Sequence, residues 1–162
     1  MATIERSLVL FKPDAVQRGL MGEILSRFER AGLKIVGCRM VWVDKTFSQQ
    51  HYAEHVEKPF YKGLEAVITN GPVLALAIEG IEAIATIRKM VGSTEPKGSA
   101  PGTIRGDYAH VSYGYADAKG IGIKNLIHAS ANAADATREL GLWFKPDELH
   151  SYKTVHDVHI LE

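Results

Sequence analysis

The sequence predicts an α/β fold, a two-layer α+β sandwich around one sheet with a ferredoxin-like βαββαβ core. Short apolar runs typical of buried strands alternate with segments whose apolar residues recur at helical spacing. In chain order these segments read β-α-β-α-β-α-β with no internal repeat, which suits a split βαβ arrangement. The chain has 162 residues, enough for a sizeable core, and we expect one domain over residues 1–162.

The strands are the short apolar runs, at residues 7–11, 34–43, 73–78 and 124–128. The helices are the segments with helical spacing, at residues 22–31, 47–57, 60–68, 81–91 and 132–141. The first strand stops at Lys12-Pro13-Asp14, and Gly32 ends the first helix. Pro59 separates the second helix from the third, and the turn at residues 70–72 precedes the third strand.

Two segments fall outside this alternation. Residues 92–122 are rich in Gly, Pro, Ser and Tyr, have little periodicity, and exceed the length of an ordinary connection. We therefore expect this segment to be either functional or mobile. The tail, residues 156–162, extends past the last predicted helix, and its apolar Ile160 and Leu161 are expected to be buried.

The charge balance limits the classes of partner. Lys plus Arg equals Asp plus Glu, 19 each, so the formal net charge is zero. This balance argues against bulk nucleic-acid binding and against an anionic membrane surface, both of which favour a basic excess, although a local basic cleft stays open.

The single cysteine and the absence of a targeting pattern indicate a reducing compartment. Cys38 cannot form an internal disulfide, and in the second predicted strand we expect it to be a small buried core thiol. No run of about 18 apolar residues predicts a membrane span, and the N-terminus has no signal-peptide pattern. The expected location is cytoplasmic.

His128 is the most informative residue. It ends the last predicted strand, in Asn125-Leu126-Ile127-His128-Ala129-Ser130. A neutral imidazole there can be a nucleophile because its unperturbed pKa lies near physiological pH. A core or surface histidine at a strand end is the structural alternative. The phosphate-suited groups elsewhere in the chain favour the nucleophile.

Those groups are each ambiguous when taken alone. Lys12 follows a buried strand, where its side chain either leans into a crevice or is solvated. Arg88 borders the apolar stripe of its helix and either extends to water or binds an anion. Arg105 lies between glycines, in a tight ligand-binding loop or a plain surface loop. Phe60 and Tyr52 either cover a base or pack in the core.

A second motif points to different chemistry. His51-Tyr52-Ala53-Glu54-His55 fits the H-x-x-E-H pattern of inverted zinc peptidases, in which histidines at i and i+4 share a helix face. The pattern is short, contains two wildcards, and is followed by Lys58-Pro59. A zinc site would also need a third ligand, so we do not favour it.

Together these residues resemble the nucleoside diphosphate kinase family through nearly the whole chain. The motifs that carry the resemblance are Phe11-Lys12-Pro13-Asp14-Ala15-Val16-Gln17-Arg18-Gly19, His51-Tyr52, Lys58-Pro59-Phe60, Gly71-Pro72-Val73, Pro101-Gly102-Thr103-Ile104-Arg105-Gly106-Asp107, Asn125-Leu126-Ile127-His128-Ala129-Ser130 and Glu139-Leu140-Gly141-Leu142-Trp143-Phe144. The resemblance implies a ferredoxin-like core. It also implies an enzyme that transfers the γ-phosphoryl of a nucleoside triphosphate, mainly ATP, to a nucleoside diphosphate.

The resemblance also assigns roles residue by residue. It makes His128 the nucleophile that carries a phosphohistidine in a ping-pong mechanism. The other catalytic residues that it implies are Lys12, Tyr52, Glu139 and Ser130. The nucleotide-binding residues that it implies are Lys12, Phe60, Leu64, Arg88, Thr94, Arg105 and Asn125. Phe60 would stack on the base with Leu64 beside it, and Asn125 would hydrogen-bond the sugar.

The same resemblance implies the cofactor and the partners. Mg²⁺ is expected as cofactor, held mainly through the nucleotide phosphates rather than by protein ligands. Base stacking on an aromatic ring tolerates every base, so we expect a broad nucleotide range. Relatives form oligomers, and a homo-hexamer is expected, with a tetramer next. The tail would then pack against a neighbouring subunit.

The chain departs from the family pattern in two places. Ala129-Ser130-Ala131-Asn132 stands where the family usually has Gly-Ser-Asp-Ser, so Ala129 would be strained if that position needs positive φ. Asn132 can still cap the following helix. Residues 109–124 exceed the common form by roughly ten residues, a length that loops accommodate at modest cost. The tyrosines there, Tyr108, Tyr113 and Tyr115, would pack at a subunit contact or cover the cleft.

Three other function classes make different predictions. A catalytically silent nucleotide-binding protein would tolerate loss of His128, and retention of Lys12, Tyr52 and Glu139 argues against it. A zinc peptidase would hold stoichiometric zinc. A nucleic-acid binder would show steep salt dependence of binding, which the neutral charge balance disfavours.

Overall fold

The computed structural model describes residues 3–161, and its centre is one four-stranded antiparallel sheet. The strands are β1 (Ile4–Phe11), β2 (Lys34–Trp42), β3 (Pro72–Ile81) and β4 (Ile127–Ala129). Their order across the sheet is β2-β3-β1-β4, with β1 paired to both β3 and β4. This arrangement confirms the predicted ferredoxin-like core.

Nine helices among the described residues surround the sheet. They are α1 (Pro13–Gln17), α2 (Met21–Arg30), α3 (Lys45–His51), α4 (Tyr61–Ile68), α5 (Ala83–Val91), α6 (Ile104–Tyr108), α7 (Tyr113–Lys119), α8 (Ala133–Trp143) and α9 (Asp157–Ile160). Short 3₁₀ turns lie at Ala53–His55, Pro96–Gly98 and Pro146–Glu148.

The structure corrects the element boundaries in three regions. The last strand, predicted over residues 124–128, is observed at Ile127–Ala129, because the chain turns at Leu126 before pairing with β1. The helix predicted over residues 47–57 ends at His51, and a separate 3₁₀ turn, Ala53–His55, follows. The aperiodic segment 92–122 contains α6 and α7, which are only five and seven residues long. Helices of one or two turns are too short for an apolar repeat to show, and these two are begun instead by hydroxyl N-caps at Thr103 and Ser112.

Helices cover both faces of the sheet. On one face, Val9 and Phe11 of β1 pack with Phe28 of α2 and Ile87 of α5. On the other face, Leu10 and its neighbours in β1 and β3 pack with side chains of α4 and α8, among them the fully buried Trp143. Burial on both faces explains why β1 reads as a continuous apolar run rather than an alternating one.

The prediction that Cys38 is a buried core thiol is wrong. Its strand, β2, lies at the edge of the sheet, and a register shift between Ile35 and Gly37 interrupts the alternation of its faces. As a result Val36 and Gly37 are both buried while Cys38 is exposed. A β-bulge of this kind leaves no trace in the apolar pattern of the sequence.

Residues 150–161, which include the described part of the tail, fold back onto β2. The backbone N–H of His150 donates to the Val36 carbonyl at 2.7 Å, and the Tyr152 hydroxyl donates to the Ile35 carbonyl. Lys34 pairs with Asp157 at 3.3 Å. The apolar side chains at the end of the tail stay partly exposed, with Ile160 at 42% and Leu161 at 43%, so their expected burial does not occur within this chain.

Over residues 3–161, no helix has both the length and the apolar character needed to cross a bilayer.

A backbone contact joins the segment after α7 to α4. A Cβ added to Gly122 would collide with the carbonyl oxygen of Gly63, and a Cβ added to Gly63 would lie 3.0 Å from the Cα of Gly122. The two main chains therefore touch directly, and the long segment is anchored against α4 rather than extended into solvent.

We expect Gly122→Ala to lower the free energy of unfolding by about 1–3 kcal/mol, because the added methyl group forces the two backbones apart. Gly114→Ala is the matched control, since a Cβ at Gly114 has open space and an ordinary helical φ. The control should be neutral or stabilising by up to about 1 kcal/mol. Urea unfolding followed by circular dichroism measures both, and equal values would contradict the contact.

Candidate active site

One cleft of about 860 Å³ lies where β1 ends and β4 begins, between α4, α5, α7 and α8. It is lined by every residue to which the sequence assigned a catalytic or nucleotide-binding role except Ser130: Lys12, Tyr52, Phe60, Leu64, Arg88, Thr94, Arg105, Asn125, His128 and Glu139. Ser130 lies behind the cleft wall and is fully buried. Residues spread from position 12 to position 139 thus meet in one place.

His128 is held in orientation by a carboxylate. It lies in β4 opposite Leu10 of β1, and its Nε2 is 2.9 Å from Oε1 of Glu139. An ionised Glu139 can only accept, so Nε2 carries the proton of the neutral imidazole. The lone pair of Nδ1 is therefore available for chemistry.

Glu139 is itself fixed by a second hydrogen bond. Ser130 donates its hydroxyl to Oε2 of Glu139 at 2.6 Å, and the backbone N–H of Leu8 donates to the Ser130 hydroxyl at 3.1 Å. Burial acts to raise the pKa of Glu139, but the hydrogen bonds and charge of His128 and the bond from Ser130 outweigh it and lower that pKa. The buried carboxylate is thus held ionised beside His128.

A strained turn aims Asn125 into the cleft. Leu126 has φ +70, and the N–H of Ile127 donates to the Asn125 carbonyl at 2.8 Å, which closes a tight three-residue turn. Two hydrogen bonds with residues 12–14 hold this turn. The backbone N–H of Lys12 donates to the Leu126 carbonyl, and the backbone N–H of Leu126 donates to the Asp14 carboxylate. The motif at residues 12–14 therefore shapes the chain just before His128.

Lys12 and Asn125 form a buried polar pair. The Lys12 ammonium donates to Oδ1 of Asn125 at 2.7 Å, and the Asn125 amide donates to the Thr94 carbonyl at 2.9 Å. Burial, followed by the positive charge of Arg105, lowers the pKa of Lys12 to about 8. The Lys12 side chain therefore lies in the cleft and is not solvated at the edge of the sheet.

Arg105 is bound to the backbone that surrounds the cleft. Its guanidinium donates to the carbonyls of Gly92, Ser93, Asn125 and Ile127, four bonds in all. A guanidinium has five N–H donors, so most of its capacity is spent on the fold. Burial, followed by the charge of Arg88, lowers the pKa of Arg105 to about 10. Arg105 therefore does not lie in a plain surface loop, which was one of its two alternatives from the sequence.

Arg88 differs from Arg105 in having little to bind within the protein. It is exposed at the cleft, and its guanidinium makes one long hydrogen bond, 3.4 Å, to the Ala129 carbonyl. Thr94 is also exposed on the same side of the cleft. This side therefore offers charge and hydroxyl donors to an anion.

The apolar end of the cleft is formed by side chains that include Phe60 and Leu64. Phe60 is 54% exposed although it lines the cleft, so it does not pack in the core. Leu64 of α4 and the anchored segment at residues 121–123 complete this end. Tyr52 is buried within the cleft lining, and burial, followed by the charge of Glu139, raises the pKa of its hydroxyl.

The H-x-x-E-H pattern does not form a helical zinc motif. His51 ends α3, whereas His55 lies in the separate 3₁₀ turn and contacts the Phe60 ring, with centroids 5.6 Å apart. His51 instead joins the site itself: its ring lies 4.8 Å from that of His128. From the sequence, His51 had a role only as the disfavoured zinc ligand, whereas in the structure it accepts a hydrogen bond from the buried indole N–H of Trp143.

The altered segment after His128 is accommodated without strain. Ala129 does not have positive φ, so the steric effect considered for that position is absent. Asn132 caps α8 by accepting from the backbone N–H of Asp135 at 2.9 Å, as predicted.

The tyrosines of the long segment have different positions. Tyr113 lines the cleft, and its backbone N–H donates to Glu95. Tyr108 binds Arg27 and Glu23 of α2, away from the cleft. Tyr115 is 56% exposed. The segment therefore contributes Tyr113 and the wall after it to the cleft.

Mg²⁺ prefers six oxygen ligands, and the site does not supply such a set. Over residues 3–161, the side chains that bring three potential ligand atoms within 4.8 Å of one another are His51, His128 and Glu139, with two nitrogens and one oxygen. Glu139 is already bonded to His128 and Ser130. This set of two nitrogens and one oxygen does not match the oxygen ligands that Mg²⁺ prefers.

Comparison with known proteins gives one consistent result. A family model described as nucleoside diphosphate kinase matches residues 5–149. A nucleoside diphosphate kinase of Pyrococcus horikoshii is 52% identical over 158 residues, which cover 97% of this chain and 96% of that protein. One from Borreliella burgdorferi is 46% identical over 156 residues, 93% of each chain.

Solved structures agree in fold. A transition-state mimic of nucleoside-diphosphate kinase from Borrelia burgdorferi with bound vanadate and ADP has a TM-score of 0.94 and 43% identity, covering 98% of this chain and 97% of that one. A halophilic nucleoside diphosphate kinase from Halobacterium salinarum in complex with CDP has a TM-score of 0.88 and 41% identity, covering 99% and 100%.

We expect Arg105→Lys to lower the free energy of unfolding by about 2–3 kcal/mol, because an ammonium cannot reproduce four bonds to four carbonyls and leaves buried acceptors unpaired. Arg88→Lys is the matched control and should change stability by less than about 0.5 kcal/mol, since Arg88 is exposed. Denaturant unfolding of both variants tests this, and similar losses would contradict a structural role for Arg105.

Proposed function

The chain belongs to the nucleoside diphosphate kinase family, enzymes that transfer phosphate between nucleotides, and we propose that it does so through a phosphohistidine on His128. The donor would be a nucleoside triphosphate, mainly ATP, and the acceptor a nucleoside diphosphate. The observation that carries the proposal is the chain Ser130–Glu139–His128, which leaves Nδ1 of His128 as the free nucleophile.

The reaction divides into two balanced half-reactions. In the first, Nδ1 of His128 forms a bond to the γ-phosphorus while the bond from that phosphorus to the bridging oxygen breaks, and the nucleoside diphosphate leaves with the electron pair. In the second, the terminal phosphate oxygen of another nucleoside diphosphate attacks the phosphoryl group and His128 leaves. Glu139 stabilises the positive charge that the ring acquires when it holds the phosphoryl group.

The cations at the cleft would stabilise the transferring group. Lys12 would neutralise charge near the phosphoryl group and the ribose, and Arg88, Thr94 and Arg105 would bind the phosphates. When bound with the nucleotide, Mg²⁺ supplies further neutralisation of the phosphate oxygens. Since four donors of Arg105 already bind carbonyls, its contribution to phosphate binding would come mainly from charge and from its remaining N–H.

The apolar end would receive the base. Phe60 would stack on it with Leu64 beside it, Asn125 would bind the sugar, and Tyr52 would place its hydroxyl near the γ-phosphate. Stacking does not read the edge of a base, so a broad range of purine and pyrimidine substrates follows. The relatives solved with ADP and with CDP are consistent with such a range.

We further propose a homo-oligomer in the cytoplasm, a hexamer before a tetramer. The edge strand β2 supports self-association because Met40 is 53% and Trp42 is 69% exposed there, and an unpaired edge with large apolar side chains favours a partner.

The first test is incubation with γ-labelled ATP and Mg²⁺ in the absence of an acceptor. Wild type should acquire acid-labile label, lose it to GDP as labelled GTP, and show ping-pong kinetics, whereas His128→Gln should acquire none. Tight ATP binding without label on wild type would refute the transferase and favour a protein that only binds nucleotides.

The pH dependence of kcat/KM tests Lys12. Its ammonium is charged below its pKa of about 8 and neutral above it, so kcat/KM for ATP should fall as pH rises through about 8. The corresponding fall in kcat should occur at higher pH, because bound phosphate stabilises the ammonium. The side chain in Lys12→Arg stays charged, so kcat/KM of this variant should no longer fall near pH 8, even though its overall activity is lower. An unchanged fall in Lys12→Arg would assign the titration to another group.

A further inference from the structure

His51 is a buried side chain that the proposed chemistry does not use. It ends α3, is only 2% exposed, and lines the cleft next to His128. Its ring also contacts Tyr52 and Trp143 edge-on, with centroids 4.5 and 5.5 Å away. A titratable ring buried against a nucleophile requires either a structural or a chemical explanation.

The contact with Trp143 defines the tautomer of His51. The indole N–H of Trp143 is only a donor, and it lies 3.1 Å from Nδ1 of His51, so Nδ1 must accept. The proton of the neutral ring is then on Nε2. Burial, followed by the charges of His128, Arg138, Lys12 and His55, lowers the pKa of His51 well below its usual value and keeps the ring neutral.

The neutral state matters because of what lies beside it. A positively charged His51 next to His128 would oppose the charge that His128 acquires on phosphorylation. Among residues 3–161, the buried Nε2 of His51 has no hydrogen-bond partner. No acceptor in this part of the chain therefore pulls the His51 ring away from His128.

The ring of His51 restricts the ring of His128. The two planes are nearly perpendicular, at 85°, with centroids 4.8 Å apart, which is van der Waals contact for two imidazoles. A ring packed this closely restricts rotation of His128 about its Cβ–Cγ bond. Glu139 binds Nε2 at 2.9 Å, so one hydrogen bond and one packing contact act on the ring.

We propose that His51 is a positioning residue for the nucleophile: held by Trp143 as the Nε2–H tautomer, it prevents His128 from turning over and so determines that Nδ1, not Nε2, receives the phosphoryl group. The proposal rests on the phosphohistidine mechanism proposed above. It adds that the choice of nitrogen depends on His51 as well as on Glu139.

The first arm of the test uses unmodified wild-type protein. Two-dimensional ¹⁵N–¹H NMR of the imidazole rings distinguishes the two neutral tautomers and the charged ring. His51 should be the neutral Nε2–H tautomer throughout pH 6–8. A charged His51 at pH 6, or a proton on Nδ1, would overturn the proposal without any substitution.

The second arm separates the ring of His51 from its hydrogen bond. His51→Asn keeps an acceptor near the position of Nδ1 for Trp143 but removes the ring, whereas His51→Phe keeps a ring and removes the acceptor. His110→Asn, an exposed histidine outside the cleft lining, is the matched control. Each phosphoenzyme is digested in alkali, and its two phosphohistidine isomers are separated and identified by ³¹P NMR.

Wild type, His110→Asn and His51→Phe should yield only the Nδ1 isomer. His51→Asn should yield both isomers and should be phosphorylated about twofold or more slowly, since a nucleophile that samples two orientations is aligned for only part of the time. Lost stability alone would lower the melting temperature without changing the isomer.

If His51→Asn yields the Nδ1 isomer alone, the proposal is overturned, whatever the rate of phosphorylation. If His51→Asn does not fold, a mixture of isomers in His51→Phe would overturn it. Absence of label on wild type would instead refute the phosphohistidine mechanism, so the two failures are distinguishable.

Discussion

The strained turn at Leu126 is the constraint on which the rest of the site depends. A non-glycine residue with φ +70 is costly, and it persists only because its surroundings specify it fully. The backbone of Lys12, the carboxylate of Asp14 and the guanidinium of Arg105 all bind the peptide groups around it. Strand β4 begins at Ile127, directly after the turn. Asn125 lines the cleft just before the turn, and His128 lines it two residues after Leu126.

The site also concentrates buried charge at a cost to stability. Lys12, Arg105 and Glu139 are each less than a tenth exposed, and isolated ionised groups are expensive to remove from water. Each is compensated mainly by hydrogen bonds: Lys12 by an amide, Arg105 by carbonyls, and Glu139 by a hydroxyl and an imidazole, with the Arg138 guanidinium 3.8 Å from Glu139. Among the described residues, Lys12 and Arg105 have no carboxylate within ion-pair distance, so their positive charges are compensated by neutral groups.

The sequence predicted the core of the fold well, because buried strands and amphipathic helices leave clear periodic patterns. The prediction from the sequence failed where the structure depends on local backbone geometry. The bulge that exposes Cys38 and the short helices α6 and α7 produce no periodic pattern of apolar residues. The residues to which the sequence assigned a role were predicted through the family resemblance, and all of them except Ser130 line the cleft. His51 was considered only as a zinc ligand, and its pairing with Trp143 was missed because the two residues lie 92 positions apart in the sequence.

The contact between Gly63 and Gly122 makes the spacing of the apolar end a property of the main chain. Side chains usually set the width of a binding cleft, so that width changes as sequences diverge. Here two peptide backbones touch, and neither glycine leaves room for a Cβ between α4 and the segment that faces it. A side chain at either glycine would push the two backbones apart, so the spacing at this end of the cleft depends on two positions that carry no side chain.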